Sequence, residues 1–148
     1  MSLIINPDKI QKLDASFKKR VEAFVTYLNA KAIIAYSNDG SHTRNSFHYE
    51  NLAIDIIFPD YKGSLFSLYL IAERFGFNGI GLYPKLKFEG KNFPAIHLDE
   101  RKLGDLEQRP RWIAIPEYRN DVQKIRNAYY PLNPHNLVKH KILTKVEL

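Results

Sequence analysis

The stretch Leu52-Ala-Ile-Asp-Ile-Ile-Phe58 sets the tightest condition on any fold of this 148-residue chain. It suits a buried strand stopped by Pro59, yet Asp55 stands in its middle. An ionised carboxylate there costs several kcal/mol of desolvation unless a cation, a hydrogen-bond network or a metal meets it. A divalent metal answers that cost best. His48 lies seven residues earlier, at the mouth of the same strand, and His97 ends a second apolar run, Phe93-Pro-Ala-Ile-His97. Two imidazoles and one carboxylate with an open fourth position are the ligand type of a catalytic zinc site.

The remainder of the chain bounds the alternatives. Its length suits one domain, residues 1–148, with room for a sizeable core. There is no Cys, so disulfide scaffolds, thiol nucleophiles and thiolate zinc sites are excluded. No apolar run approaches the 18 or so residues of a membrane span, and no secretory signal is visible at the N-terminus. The formal charge of +6 (22 Lys+Arg against 16 Asp+Glu) favours anionic partners such as an acidic cell wall, although solubility alone explains most such surpluses. Nucleic acid is disfavoured as a partner, because no recognition motif accompanies the charge.

Asn6-Pro7 reads as a helix start, and apolar residues at Ile10, Leu13, Phe17, Val21, Phe24, Val25 and Leu28 follow helical spacing. One or two amphipathic helices are expected over 8–30, with Asp14 or Ser16 capping a second. Residues 32–36 and 52–58 read as buried strands. Ser64 caps a helix that Gly76 terminates. Gly79–Tyr83 and Phe93–His97 read as two strands joined by a polar excursion over 85–92. Beyond Trp112 one helix is expected over 120–130. The fold class is therefore α+β: a small, mostly antiparallel sheet carrying the ligands, packed against N-terminal and mid-chain helices.

Ser46-x-His48-x-x-Asn51-x-Ala53-x-Asp55 resembles the S-x-H-x-x-G-x-A-x-D signature of the zinc D-Ala-D-Ala carboxypeptidases and their peptidoglycan endopeptidase relatives, which share a fold with the Hedgehog signalling domain. Gly79-Ile80-Gly81-Leu82-Tyr83-Pro84, then His97-Leu98-Asp99 and Arg111-Trp112, are similar to that family's G-x-G-x-Y-P, H-x-D and R-W segments. The resemblance covers about residues 32–112 and leaves 113–148 as an extension. It implies zinc held by His48, Asp55 and His97, and amide hydrolysis by water that the metal acidifies towards a pKa of about 7.

Three departures bear on that reading. Asn51 replaces the signature Gly, and Asn tolerates a left-handed backbone best after Gly. Pro94 stands where many relatives carry the general base. Asp99 is then the leading catalytic candidate, since residues two apart on a strand share a face. Its other open role is to orient His97 by accepting the second imidazole N–H. Glu50, Glu89 and Glu100 are further candidates for the base. The Arg that binds a terminal carboxylate is absent from the usual place, leaving Arg44 as the candidate, so endopeptidase action is favoured over carboxypeptidase action. Tyr83 is the candidate donor to a substrate oxyanion.

The expected function is thus a zinc-dependent peptidase cutting peptidoglycan stem peptides or cross-links. The alternative is a catalytically impaired zinc-binding or wall-binding module of the same fold. Without a visible signal, delivery to the wall is expected by a phage-type route or by another export path.

Overall fold

A computed structural model describes residues 3–37, 51–103 and 109–143. Helix α1 (Ala15–Leu28) begins at Asp14, whose carboxylate accepts the Phe17 N–H at 3.1 Å, satisfying one of the donors a helix leaves orphaned in its first turn. Phe17, Val21, Phe24 and Val25 recur on one buried face. Helix α2 (Leu65–Arg74) is capped by Ser64, which accepts from the Ser67 N–H at 3.0 Å, and Gly76 follows its end with φ +73°. Its buried side is Leu68, Tyr69 and Ala72.

The strands are β1 (Ile33–Tyr36), β2 (Ala53–Ile57), β3 (Gly79–Phe88), β4 (Lys91–Asp99), β5 (Arg111–Arg119) and β6 (Lys124–Pro131), and a short helix α3 (Pro134–Lys139) follows. They form one six-stranded sheet in the order β1-β2-β4-β3-β5-β6. Every neighbouring pair is antiparallel except β3–β5, which run parallel over Ile80–Leu82 and Arg111–Ile113. This is the expected α+β class with a mostly antiparallel sheet.

Alternation decides what each face carries. Ile54, Ile56, Ile80, Leu82, Ile96, Leu98 and Ile113 point to the main core, which they share with Phe17, Val21 and Phe24 of α1. Phe24 meets Phe58, Phe75 and Phe77 edge-on at centroid separations of 5.9, 5.6 and 5.9 Å, a geometry worth about 0.5–1.5 kcal/mol per pair beyond the burial itself. The opposite face carries a smaller cluster of Ala35, Ile57, Tyr83, Leu86, Ala95 and Ala114. No helix among the described residues is long and apolar enough to cross a membrane.

Three expectations are corrected. The helix expected over 120–130 is instead a turn and strand β6, with Gln123 in the left-handed region at φ +49°. Ile125 and Tyr129 are four apart, a spacing that serves a helix and a strand equally, and pairing with β5 selects the strand. The polar excursion over 85–92 is the far end of the β3–β4 hairpin, closed by Glu89 and Gly90 at φ +51° and +79°, the backbone a tight two-residue turn requires. Asn6 does not cap the short 3-10 turn Pro7–Ile10. Its amide exchanges two 2.9 Å hydrogen bonds with the backbone of Ile34, taking the place of a neighbouring strand on the outer side of β1.

Candidate metal centre

Strand register brings chemistry-bearing residues from distant parts of the chain into one row. Asp55 on β2 lies opposite His97 on β4, His97 opposite Gly81 on β3, and Gly81 beside Trp112 on β5. The next row sets Ala53, Asp99 and Gly79 side by side. Both rows lie on the face turned away from α1, because the residues between them, Ile54, Ile80 and Leu98, belong to the main core.

The two glycines are explained by what crosses them. A Cβ on Gly79 would stand 2.2 Å from an Asp99 carboxylate oxygen, and one on Gly81 would stand 2.5 Å from the Trp112 indole. The G-x-G segment is thus the floor over which a carboxylate and an indole are laid. Since Gly81 raises no side chain between them, Trp112 reaches His97 with ring centroids 5.0 Å apart.

His97 is held from both sides. Its Nδ1 is 3.0 Å from Asp55 Oδ1 and its Nε2 is 2.8 Å from Asp99 Oδ2, all three side chains being buried. Burial alone would push the imidazole pKa down, but the hydrogen bonds and charges of Asp55 and Asp99 carry it up to about 9. Asp99 is fully buried. Its Oδ1 accepts from the Arg101 N–H at 3.1 Å and from Arg101 Nε at 3.0 Å, and its Oδ2 accepts from Arg101 Nη2 at 2.7 Å as well as facing His97. Those contacts occupy all of a carboxylate's acceptor positions. Burial opposes its ionisation, yet His97 and Arg101 together hold its pKa far below the usual carboxylate range.

Arg101 was not singled out from the sequence, although the spacing that joins His97 to Asp99 extends to it: each stands two residues beyond the last. Its guanidinium also lies over Trp112, 5.2 Å from the ring centroid. Arg111 acts elsewhere, pairing with both oxygens of Glu73 at 3.0 and 2.6 Å and donating to the carbonyls of Asn78, Pro110 and Phe77. It ties the start of β5 to α2 and to the entry of β3, and so fixes where Trp112 begins its crossing.

Tyr83 lies two residues beyond Gly81 on the same face and is buried. Burial first, then the charge of Asp55, raises its pKa well above the ordinary phenol value, with smaller contributions from Tyr129 and Asp99. It is therefore a hydroxyl donor at neutral pH. The Trp112 indole N–H bears on that hydroxyl in the opposite sense, yet Nε1 is buried without a partner at hydrogen-bond distance among the described residues.

Of the other residues proposed from sequence, His48, Arg44, Ser46 and Glu50 lie outside the described residues. Asn51 has φ +60°, the left-handed backbone its place in the signature implies. Glu89 is in the β3–β4 turn, and Glu100 is ion-paired with Arg20 of α1. The proposed ligands Asp55 and His97 are brought together, and Asp99 is brought to the far nitrogen of His97. Among the described residues no group of three His, Asp or Glu surrounds a common point.

Asp55 and His97 are side chains of the types that zinc takes. Two donors each about 2.0–2.1 Å from one ion stand roughly 3.3–3.4 Å apart at a tetrahedral angle. Asp55 Oδ1 and His97 Nδ1 are 3.0 Å apart and directly hydrogen-bonded, so an ion between them would replace that bond and part the two atoms by a few tenths of an ångström. A carboxylate on the second imidazole nitrogen is the usual support for a metal-ligating His. Neither a family model, a curated protein nor a solved structure matches the chain.

Proposed function

We propose that the chain is a zinc-dependent amide hydrolase acting on peptidoglycan stem peptides or cross-links, with Asp55, His97 and His48 holding the metal. The observation that carries this reading is the buried relay Asp55–His97–Asp99–Arg101, which presents one imidazole nitrogen beside a carboxylate and fixes the other. The residue resemblance supplies His48 and the substrate class. Bound there, zinc supplies Lewis acidity towards water and towards the amide carbonyl.

The chain's own residues prepare the site. Asp99 takes the Nε2–H of His97, so a metal that displaced the proton on the other nitrogen would be held by Nδ1, towards Asp55. Arg101 neutralises Asp99 and keeps it ionised. Trp112 covers the imidazole, and Tyr83 offers its proton to the substrate carbonyl oxygen. With every acceptor position of Asp99 in use, its role is to orient His97 rather than to take a proton from water. The base then falls to another carboxylate, for which Glu50 is the remaining candidate near the signature. A second reading, a wall-binding module with impaired turnover, is favoured by the same saturation of Asp99 together with Pro94 at the usual base position.

Elemental mass spectrometry on protein purified without added metal is expected to find stoichiometric zinc, and little in His97→Ala. Incubation with purified walls is expected to release peptide fragments. Zinc without release selects the binding module, and no zinc even after reconstitution overturns both readings.

A further inference from the structure

Strand β3 accompanies β5 only as far as Ile113, while β5 and β6 continue paired to Arg119 and Lys124. The last part of this hairpin therefore stands beyond the sheet as a two-stranded ribbon. In antiparallel pairing, residues directly opposite share a face. One face of the ribbon carries Glu117 opposite Arg126 and Arg119 opposite Lys124. The other carries Ala114 opposite Tyr129, Pro116 opposite Asn127 and Tyr118 opposite Ile125. This second face is the one on which Trp112 lies, so it continues the metal-site row outward.

Such a projecting ribbon meets water on both sides, yet its charges are gathered on one. On the site side Tyr129, Tyr118 and Ile125 are 56, 61 and 67% exposed. Two exposed tyrosines and an exposed isoleucine on one face of a projecting ribbon, with Pro116 and Asn127 between them, offer a place for a partner to dock. Tyr129 lies opposite Ala114, which belongs to the same buried cluster as Tyr83, and this puts the near end of the stripe at the candidate site. At about 3.4 Å per residue the far end, Tyr118, is roughly 20 Å from Trp112.

We propose that this face is a platform for the glycan strand of the wall polymer, holding it while an attached peptide lies at the metal row. The inference rests on the reading of the chain as a peptidoglycan hydrolase and adds where the rest of that substrate goes. Two tyrosines offer flat apolar faces with wet hydroxyl ends, and Asn127 between them offers an amide to sugar hydroxyls. This composition suits sugar rings, which are apolar on their C–H faces and polar at their rims. The platform is continuous with the site, and the chain's surplus of +6 suits an acidic polymer.

The test is binding of purified, peptide-free glycan strands, followed by calorimetry, for the wild type and for a Tyr118→Ala/Ile125→Ala double variant. Both positions are exposed, so zinc content and thermal midpoint should match the wild type while Kd for the glycan rises about tenfold or more. A Lys124→Ala/Arg126→Ala variant, on the charged face, should lose affinity only by the weaker, salt-dependent share. Equal binding by the wild type and the Tyr118/Ile125 variant overturns the proposal. So does a wild type that binds no peptide-free glycan, or a variant whose only change is loss of self-association in sedimentation. Failure of the hydrolase reading would be registered separately, as absence of zinc and of peptide release.

Discussion

The two faces of the sheet are built from the same strands by the same alternation and do opposite things with it. Towards α1, successive positions are Ile, Leu or Phe and the face is held by area and close packing. Away from it, the central rows contain Ala53, Asp55, Gly79, Gly81, His97 and Asp99, residues that contribute little apolar area and considerable charge. The first face makes the second affordable: a slip of one residue would exchange them, and the cost of exposing so many aliphatic side chains pins the register that brings Asp55 opposite His97. Precision at the site is thus a by-product of hydrophobicity on the reverse side.

That division is open to direct challenge. Phe24→Ala removes the ring at the centre of three edge-on contacts and should cost about 3–5 kcal/mol in denaturant unfolding, with metal content unchanged in the fraction that remains folded. Loss of metal at native-like stability would show that the faces are coupled by more than register. Asp99→Asn keeps the shape of the side chain but removes the charge behind His97, and zinc affinity by competition with a chelator should fall about 10–100-fold. Gly81→Ala should destabilise by about 1–3 kcal/mol, because the new methyl meets the indole at 2.5 Å and the ring must move. An equally stable Gly81→Ala protein would contradict the placement of Trp112.

The smallest effect concerns the frame rather than the site. Hydrogen bonds from Arg111, working against partial burial, lower the pKa of Glu73 from its ordinary value near 4.5. A depressed carboxyl pKa contributes stability above the unfolded value that is lost as pH falls through the folded one. Glu73→Gln should therefore cost about 1 kcal/mol or less at neutral pH and make unfolding less steeply acid-dependent below about pH 4.5, measured by urea midpoints across pH. A midpoint profile unchanged by the substitution would remove Glu73 from the account of how β5 is anchored.

Much of this arrangement is legible in the sequence, and the reason is burial. The runs around Asp55 and His97 are apolar enough to declare strands, and Asp14 and Ser64 cap their helices because a side-chain oxygen there has one obvious use. Where burial is weak the sequence is ambiguous. Residues 124–131 are mostly exposed, so their spacing carries no decisive period, and only pairing with β5 makes them a strand. Arg101 escapes notice for a related reason: an Arg after an acidic residue is ordinary on a surface. What makes it part of the site is a fully buried carboxylate that needs both its side chain and its backbone N–H. The use of Asn6 as a stand-in strand is equally hidden, since Asn-Pro is a capping signal wherever the chain turns into a helix.

The indole that spans Gly81 is the chain's only tryptophan. Its ring centroid is 5.0 Å from that of the His97 imidazole and 5.2 Å from the Arg101 guanidinium. Its fluorescence therefore comes from a single position, against the ring whose protonation a metal would displace. The protein carries its own optical reporter, and a titration read at the tryptophan emission would follow events at His97 without any label.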